Sequence, residues 1–177
     1  FDQSLDGGRA ILSVTAFRRD TTDQINYDNA TFSYSNLDRT RAKGVEASIA
    51  LKPVDALTVT GSYSYVDARD RSPGSAFFGN RLARRAANQV SVSADYDWSF
   101  GLWTGATVTM VDDSFDNAAN TRRLDGYALL AVRASLPIGE HLEVYGRIDN
   151  LTDEAYATAY GYNSYGRSAY GGVRVRF

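Results

Sequence analysis

The sequence of 177 residues contains no cysteine, one histidine and three prolines. Without cysteine, the chain can form no disulfide and support no thiol catalysis. The single histidine, His141, has no second histidine or cysteine with which to hold zinc. It follows a short turn, far from the long loops, and this position argues against a serine-type triad. We therefore expect no enzymatic activity, no catalytic residue, no metal site and no cofactor.

Long apolar runs and blocks of like charge are also missing. No segment approaches the roughly 18 apolar residues of a transmembrane helix. Residues 1–10 lack the apolar core of a signal peptide. The 19 basic and 21 acidic residues are spread along the chain, so we expect no nucleic-acid partner.

What the sequence does contain is an alternation of apolar and polar residues. Leu57, Val59, Gly61, Tyr63 and Tyr65 alternate with small hydroxyl residues. Because successive side chains of a strand point to opposite faces, eight such segments predict eight half-embedded strands. Those at 56–67 and 86–97 approach 12 residues. A soluble strand averages roughly 5–6 residues, and a tilted strand needs roughly 9–11 to cross a bilayer.

The connections between these segments alternate in length. Long ones are expected at 23–38, 67–85, 112–125 and 152–167, and short ones at 53–56, 97–101 and 137–140. In an antiparallel up-and-down sheet, this places all long loops at one end and all tight turns at the other. Outer-membrane β-barrels have this asymmetry, with short periplasmic turns and long outer loops. The fold class predicted is an all-β, antiparallel, up-and-down transmembrane β-barrel segment of about eight long strands.

The chemistry of the two strand faces sets their orientation. The polar face includes six charged residues whose burial in a dry interior would cost several kcal/mol each without partners: Glu46, Glu143, Arg133, Arg147, Arg174 and Arg176. We expect this face to line a wet interior and the apolar face to meet lipid. On the apolar face, Tyr63 and Tyr65 precede a long loop, whereas Tyr96 and Trp98 precede a short turn. They are predicted to form aromatic belts at the outer and the periplasmic membrane interface.

Several motifs resemble the C-terminal barrel of TonB-dependent outer-membrane receptors, and most closely that of the vitamin B12 (cobalamin) transporters. They are RAKGVE at 41–46, SYSYVDAR at 62–69, LARR at 82–85, GRIDNLTDEAY at 146–156, YGY at 160–162 and GR at 166–167. They occur in order along nearly the whole chain. The second motif and the YGY loop suggest cobalamin as the substrate.

This resemblance implies a 22-stranded barrel, of which residues 1–177 would be the last eight strands. A plug domain and a TonB box are not among these residues, and we expect the segment alone not to transport. The parent would import cobalamin or, alternatively, a ferric siderophore. The implied partners are outer-membrane lipid and lipopolysaccharide, the barrel-assembly machinery and, through the plug, TonB. The implied location is the bacterial outer membrane.

The end of the chain resembles the signal read by the barrel-assembly machinery. Tyr170, Gly172, Val175 and Phe177 occupy its polar, glycine, hydrophobic and aromatic positions. The alternation of an ordinary last strand would produce part of the same pattern.

Tyrosines in the long loops are candidates for ligand contact, namely Tyr34, Tyr160, Tyr162 and Tyr165, with Tyr27 nearby. Packing between loops would account for them equally well. Asp112, Asp113 and Asp116 could supply oxygens to Ca²⁺, but they lack the spacing of an EF-hand, and a solvated loop is the better interpretation. Five arginines could meet lipopolysaccharide phosphates or form a general basic rim: Arg81, Arg84, Arg85, Arg122 and Arg123.

Two other architectures fit part of the pattern. Eight strands are enough to close a small barrel with a structural or pore role, and this would require pairing between residues 9–20 and 167–177. A soluble β-sandwich binding module, such as a lectin, would instead bury the apolar face in a dry core.

Overall fold

The computed structural model describes residues 1–28 and 32–177. The strands are β1 (Asp2–Leu5), β2 (Ala10–Asp28), β3 (Ser33–Val54), β4 (Leu57–Asp70), β5 (Asn88–Asp97), β6 (Trp103–Val111), β7 (Ser114–Phe115), β8 (Arg123–Leu124), β9 (Tyr127–Ile138), β10 (Leu142–Asp149) and β11 (Ser168–Val175). A 3-10 turn, Asp6–Gly8, joins β1 to β2. The described residues include no helix long and apolar enough to cross a membrane.

Nine strands form one antiparallel sheet in the order β1-β2-β3-β4-β5-β6-β9-β10-β11, and β7 and β8 form a separate hairpin. The order follows the sequence, which confirms the all-β up-and-down topology. The eight long strands are β2 to β6 and β9 to β11. The sequence did not predict β1, a four-residue strand that pairs with the start of β2 from Asp2↔Ser13 to Leu5↔Ala10.

The connections lie at two ends of the sheet. The inner end carries short turns at 55–56, 98–102 and 139–141, whereas the outer end carries the long loops 71–87, 112–126 and 150–167. This confirms three of the four predicted long loops and, with them, the predicted difference between the two ends. The loop at 112–126 is not irregular throughout, because β7 and β8 lie within it.

The predicted long loop at 23–38 is wrong in its described part. There β2 continues to Asp28 and β3 begins at Ser33, with pairing up to Asp28↔Ser33; residues 29–31 lie outside the described part. The alternation fades there because each face mixes polar residues with isolated apolar or aromatic ones, such as Ile25 and Leu37. Its backbone groups are nonetheless satisfied by the neighbouring strand, and strand structure persists without a continuous apolar face.

The sheet is a single layer without a core. The buried apolar residues in the described part are Ala68, Ala86, Ala87 and Leu124, and none of the large side chains there is fully buried. Val92, Tyr63 and Val175 are 44%, 39% and 51% exposed. A soluble sheet must bury its apolar face against a second layer, so the β-sandwich alternative is wrong.

The sheet is also open. The registers of the described strands join β1 to β2 alone and β11 to β10 alone. The pairing between first and last strands that a small closed barrel requires is therefore not present, and the structure is a partial barrel.

Candidate ligand-facing loops and the two faces of the sheet

The apolar face is built from cross-strand rows of side chains. Its middle row joins Ile49, Gly61, Val92, Val108 and Leu130 on β3, β4, β5, β6 and β9. Alternate residues along each strand repeat this pattern on the same side. None of these five residues is buried, so the row forms part of a continuous apolar surface that no second layer of the described structure covers.

Aromatic residues lie at both ends of the apolar face. Tyr63 and Tyr65 lie toward the outer end, where the Tyr63 hydroxyl donates to Asn88 Oδ1 at 2.7 Å. Tyr96 and Trp98 lie at the inner end, with ring centroids 4.7 Å apart in an edge-on arrangement. The two pairs are separated as an aromatic belt at each interface would require. Their contact with membrane interfaces remains a prediction.

On the polar face, Arg133 of β9 is held by three kinds of contact. Its Nη2 donates to Asp95 Oδ1 at 2.5 Å, its Nη1 donates to Thr107 Oγ1 at 2.8 Å, and its guanidinium lies 5.3 Å from the Trp103 ring. Asp95 is on β5, so this ion pair crosses over β6. Gly105 lies between the two in register, and a Cβ there would collide with both side chains. The glycine therefore provides the space for the ion pair.

Two further arginines of the polar face repeat this combination of a carboxylate and a ring. Arg147 lies 3.4 Å from Asp149 and 4.6 Å from the Tyr170 ring centroid. Arg174 donates to Glu143 at 2.8 Å and lies 5.6 Å from the Tyr145 ring. Each of the two arginines therefore has a carboxylate partner within the sheet, and Glu143 is shared with Arg176, which donates to it at 3.4 Å.

The proposed assembly-signal residues divide between the faces. Tyr170 and Gly172 lie on the polar face, Val175 lies on the apolar face, and Phe177 follows the end of β11. The Tyr145 ring covers Gly172, because a Cβ on this glycine would lie 2.5 Å from the Tyr145 hydroxyl oxygen. Gly172 thus has a packing role in the folded sheet, and recognition by the assembly machinery remains a prediction.

Two outer loops are tied to each other. The Arg84 Nε donates to Asp116 at 2.7 Å, and its backbone N–H donates to the Phe115 carbonyl at 2.6 Å. Asn120 accepts from the Arg81 N–H at 2.9 Å and donates back to its carbonyl at 3.0 Å. Loops 71–87 and 112–126 therefore form one surface.

Asp116 links the third outer loop to this surface. Its Oδ1 also accepts from the Tyr160 N–H at 3.2 Å, and Arg122 lies 5.1 Å from the Tyr160 ring. Burial disfavours the charged form of Asp116. The hydrogen bonds from Arg84 and Tyr160, with the charges of Arg84 and Arg122, outweigh burial and hold the pKa of this carboxyl below its usual value.

The candidate tyrosines fall into two places. Tyr160, Tyr162 and Tyr165 share loop 150–167 and are 61%, 72% and 90% exposed. Tyr34 lies instead on the β2–β3 hairpin, where its ring packs 5.0 Å from that of Tyr27. Contact with a ligand remains a prediction for all four residues.

The acidic residues of loop 112–126 are engaged separately. Asp112 accepts from Asn88 at 2.6 Å, Asp113 lies 3.6 Å from Arg123, and Asp116 binds Arg84. The described residues contain no group of three or more potential metal ligands. Three of the five arginines predicted to meet lipopolysaccharide also contact residues of the loops themselves. Arg84 pairs with Asp116, Arg122 lies against the Tyr160 ring, and Arg123 lies near Asp113.

Comparison with known proteins identifies the class of this fold. Residues 1–151 match the family described as TonB dependent receptor-like, beta-barrel. The chain belongs to this family of receptors, whose members lie in the outer membrane of Gram-negative bacteria.

Solved structures with the same fold include three siderophore receptors. The siderophore receptor PiuA from Acinetobacter baumannii superposes with a TM-score of 0.81 at 20% identity over 98% of this chain and 26% of its own. BauA, the ferric preacinetobactin receptor of the same organism, superposes with a TM-score of 0.80 at 21% sequence identity. The match covers 96% of this chain and 28% of BauA. The ferric yersiniabactin uptake receptor FyuA from Yersinia pestis superposes with a TM-score of 0.79 at 18% sequence identity. The match covers 97% of this chain and 28% of FyuA. The chain thus spans about a quarter of the length of these receptors.

Proposed function

We propose that this chain forms part of the barrel wall of a receptor for energy-coupled uptake of a bulky, scarce nutrient. Membership of the receptor family, together with a single-layer open sheet whose apolar face is exposed, supports this proposal. An open apolar sheet is stable in a bilayer only when further strands complete the barrel. In this proposal TonB acts on a plug domain, and the barrel-assembly machinery inserts the complete barrel.

For the substrate we propose a ferric siderophore in preference to cobalamin. The motifs at 62–69 and 160–162 suggested cobalamin, but the structural relatives named above are siderophore receptors. Loop chemistry supports the same preference. Arg122 is exposed and lies against the Tyr160 ring, a combination that suits an anionic, aromatic chelate.

Tyr162 and Tyr165 are the residues that we propose contact the substrate. They are more exposed than Tyr160, and their loop is anchored to loop 112–126 through Asp116. An anchored loop loses less conformational freedom when it binds a ligand. Flat aromatic side chains on such a loop provide contact area at little entropic cost.

The test uses the full receptor that contains this segment. Binding is titrated with ferric catecholate, ferric hydroxamate and cyanocobalamin, and uptake is measured in cells with and without TonB. We expect one ferric chelate to bind at micromolar concentration or below, with uptake that requires TonB. Tight binding of cyanocobalamin alone would reverse the substrate preference, and uptake that is independent of TonB would contradict the proposed function.

The loop contact is tested by Tyr162→Ala combined with Tyr165→Ala. We expect about a 25-fold to 100-fold weaker affinity, since each of the two exposed aromatic contacts contributes roughly a factor of 5–10. Phe100→Ala is the matched control, because it removes an exposed ring at the inner end. Equal losses in the two variants, or none in either, would remove the tyrosines from the binding site.

A further inference from the structure

The apolar face of β2 to β4 ends abruptly in a charged patch at its outer end. The last apolar row joins Ala16, Val45 and Tyr65. Beyond it, three rows continue on the same side: Arg18, Lys43 and Asp67, then Asp20, Arg41 and Arg69, then Thr22, Arg39 and Arg71. We call these nine residues the cationic patch. Six are basic and two are acidic.

The two carboxylates of the cationic patch are each shared. Asp20 accepts from Arg18 at 3.0 Å and from Arg41 at 2.6 Å. Asp67 accepts from Arg69 at 2.6 Å and lies 4.0 Å from Lys43. Four cations therefore compensate two anions, and a surplus of positive charge remains.

The third row adds two arginines without an acidic partner in the described part of the chain. Arg39 is exposed, and the Nε of Arg71 is buried without a hydrogen-bond partner there. Side chains of the patch enclose a depression of about 140 Å³ lined by Arg18, Arg41, Lys43, Asp67, Arg69 and Arg71. Such a depression presents several donors to one anion.

The location of the patch indicates where the anion comes from. It lies on the apolar face directly beyond Tyr65, where the lipid-facing surface of a barrel leaves the hydrocarbon. Three rows span about 14 Å along the strands, or about 10 Å along the membrane normal at the usual tilt of about 40°. This is the level of lipid headgroups and the polar layer outside them.

We propose that the cationic patch binds the phosphate groups of lipopolysaccharide, the phosphorylated glycolipid of the outer leaflet. Guanidinium groups form paired, charge-assisted hydrogen bonds with phosphate, and positive charge at this level attracts anionic lipid. Of the five loop arginines, Arg81 forms an antiparallel bridge with Arg69 and therefore adjoins the patch. Arg84, Arg85, Arg122 and Arg123 lie outside it in loops 71–87 and 112–126.

The test uses the full receptor and measures binding of diphosphorylated lipid A, dephosphorylated lipid A and inorganic phosphate by native mass spectrometry and competition. Arg41→Gln with Arg69→Gln leaves each carboxylate one cation, Arg18 for Asp20 and Lys43 for Asp67, so folding is expected. We expect about a tenfold to thirtyfold weaker binding of diphosphorylated lipid A, since each basic residue near an anionic surface contributes roughly fivefold. Dephosphorylated lipid A should bind weakly, and millimolar phosphate should not compete.

Arg85→Gln with Arg123→Gln is the matched control, because it removes two loop charges outside the patch. It should bind diphosphorylated lipid A like the wild type. Retained binding by the patch variant, equal loss in the control, or displacement by inorganic phosphate would overturn the proposal.

If the patch variant fails to show the heat-modifiable mobility of a folded barrel, Arg39→Gln and the charge-preserving Arg41→Lys are measured instead. Arg39→Gln should weaken binding of diphosphorylated lipid A, whereas Arg41→Lys should retain most of it. Weaker binding by Arg41→Lys than by Arg39→Gln would contradict the proposal.

Discussion

The arginines of the polar face and those of the cationic patch differ in how their charge is compensated. Arg133, Arg147 and Arg174 each have a carboxylate and an aromatic ring within the sheet. Arg39 and Arg71 have no carboxylate partner among the described residues. Compensated charge indicates a structural role, whereas surplus charge is available to a ligand.

This difference follows from the surroundings of the two faces. Inside a barrel wall, an arginine that lacks a partner is costly because water is limited and low-dielectric protein is close by. At the outer edge of a membrane, water and headgroups solvate the same side chain. Selection for stability alone would therefore give the first group carboxylate partners and leave Arg39 exposed without one; Arg71 lies 5.5 Å from the Phe78 ring but likewise has no carboxylate partner in the described residues.

The largest effect should come from placing an arginine at the centre of the apolar face. Val92→Arg should destabilise the folded barrel by about 2–4 kcal/mol, the cost of an arginine facing lipid near the bilayer midplane. Ser91→Arg, one residue away on the polar face, should cost under about 1 kcal/mol. Unfolding by urea in lipid vesicles measures both values. Equal costs, or a larger cost for Ser91→Arg, would reverse the orientation of the sheet.

A smaller effect should follow from filling the space between Asp95 and Arg133. Gly105→Ala puts a methyl group where the two side chains meet, and we expect a loss of about 1–2 kcal/mol as the ion pair opens. The side chains of this pair are only 24% and 32% exposed, so screening by water is partial. The same urea titration measures the loss.

Gly146→Ala is the control for this change. The nearest atom to its new Cβ would be the Tyr170 carbonyl oxygen at 3.4 Å, an ordinary contact. We expect a cost below about 0.5 kcal/mol. If both alanines cost the same, a general glycine effect on strands would explain Gly105 and the space for the ion pair would be irrelevant.

Alternation and loop lengths in the sequence were enough to predict most of the sheet. The segments at 56–67 and 86–97 correspond to β4 and β5, because a strand with one apolar face carries a period of two. The outer parts of β2 and β3 could not be found in this way, since a solvated hairpin has no continuous apolar face to produce the alternation. The strand β1 was missed because four residues are too few to establish alternation.

The site was predictable in its residue types but not in its pairings. The loop tyrosines could be selected from the sequence, whereas the contact of Asp116 with Arg84 joins residues 32 positions apart. The cationic patch had a detectable signal. Arg18, Lys43 and Arg69 continue the apolar alternation of their strands with charged residues, and reading each strand past its last apolar position would have found them.

The smallest effect distinguishes two explanations for Gly172. If this glycine accommodates the Tyr145 ring, Gly172→Ala should cost about 0.5–1 kcal/mol in the urea titration, because the ring must move away from Arg174. The cost should disappear in a Tyr145→Ala background, as double-mutant coupling requires. Gly171→Ala is the control, since its Cβ would meet the Tyr145 carbonyl oxygen at 3.7 Å.

If Gly172 instead serves the assembly machinery, Gly172→Ala will slow barrel insertion in cells in both backgrounds while stability in vesicles stays unchanged. That outcome would contradict the packing explanation, because a glycine needed only for the ring is dispensable once the ring is gone.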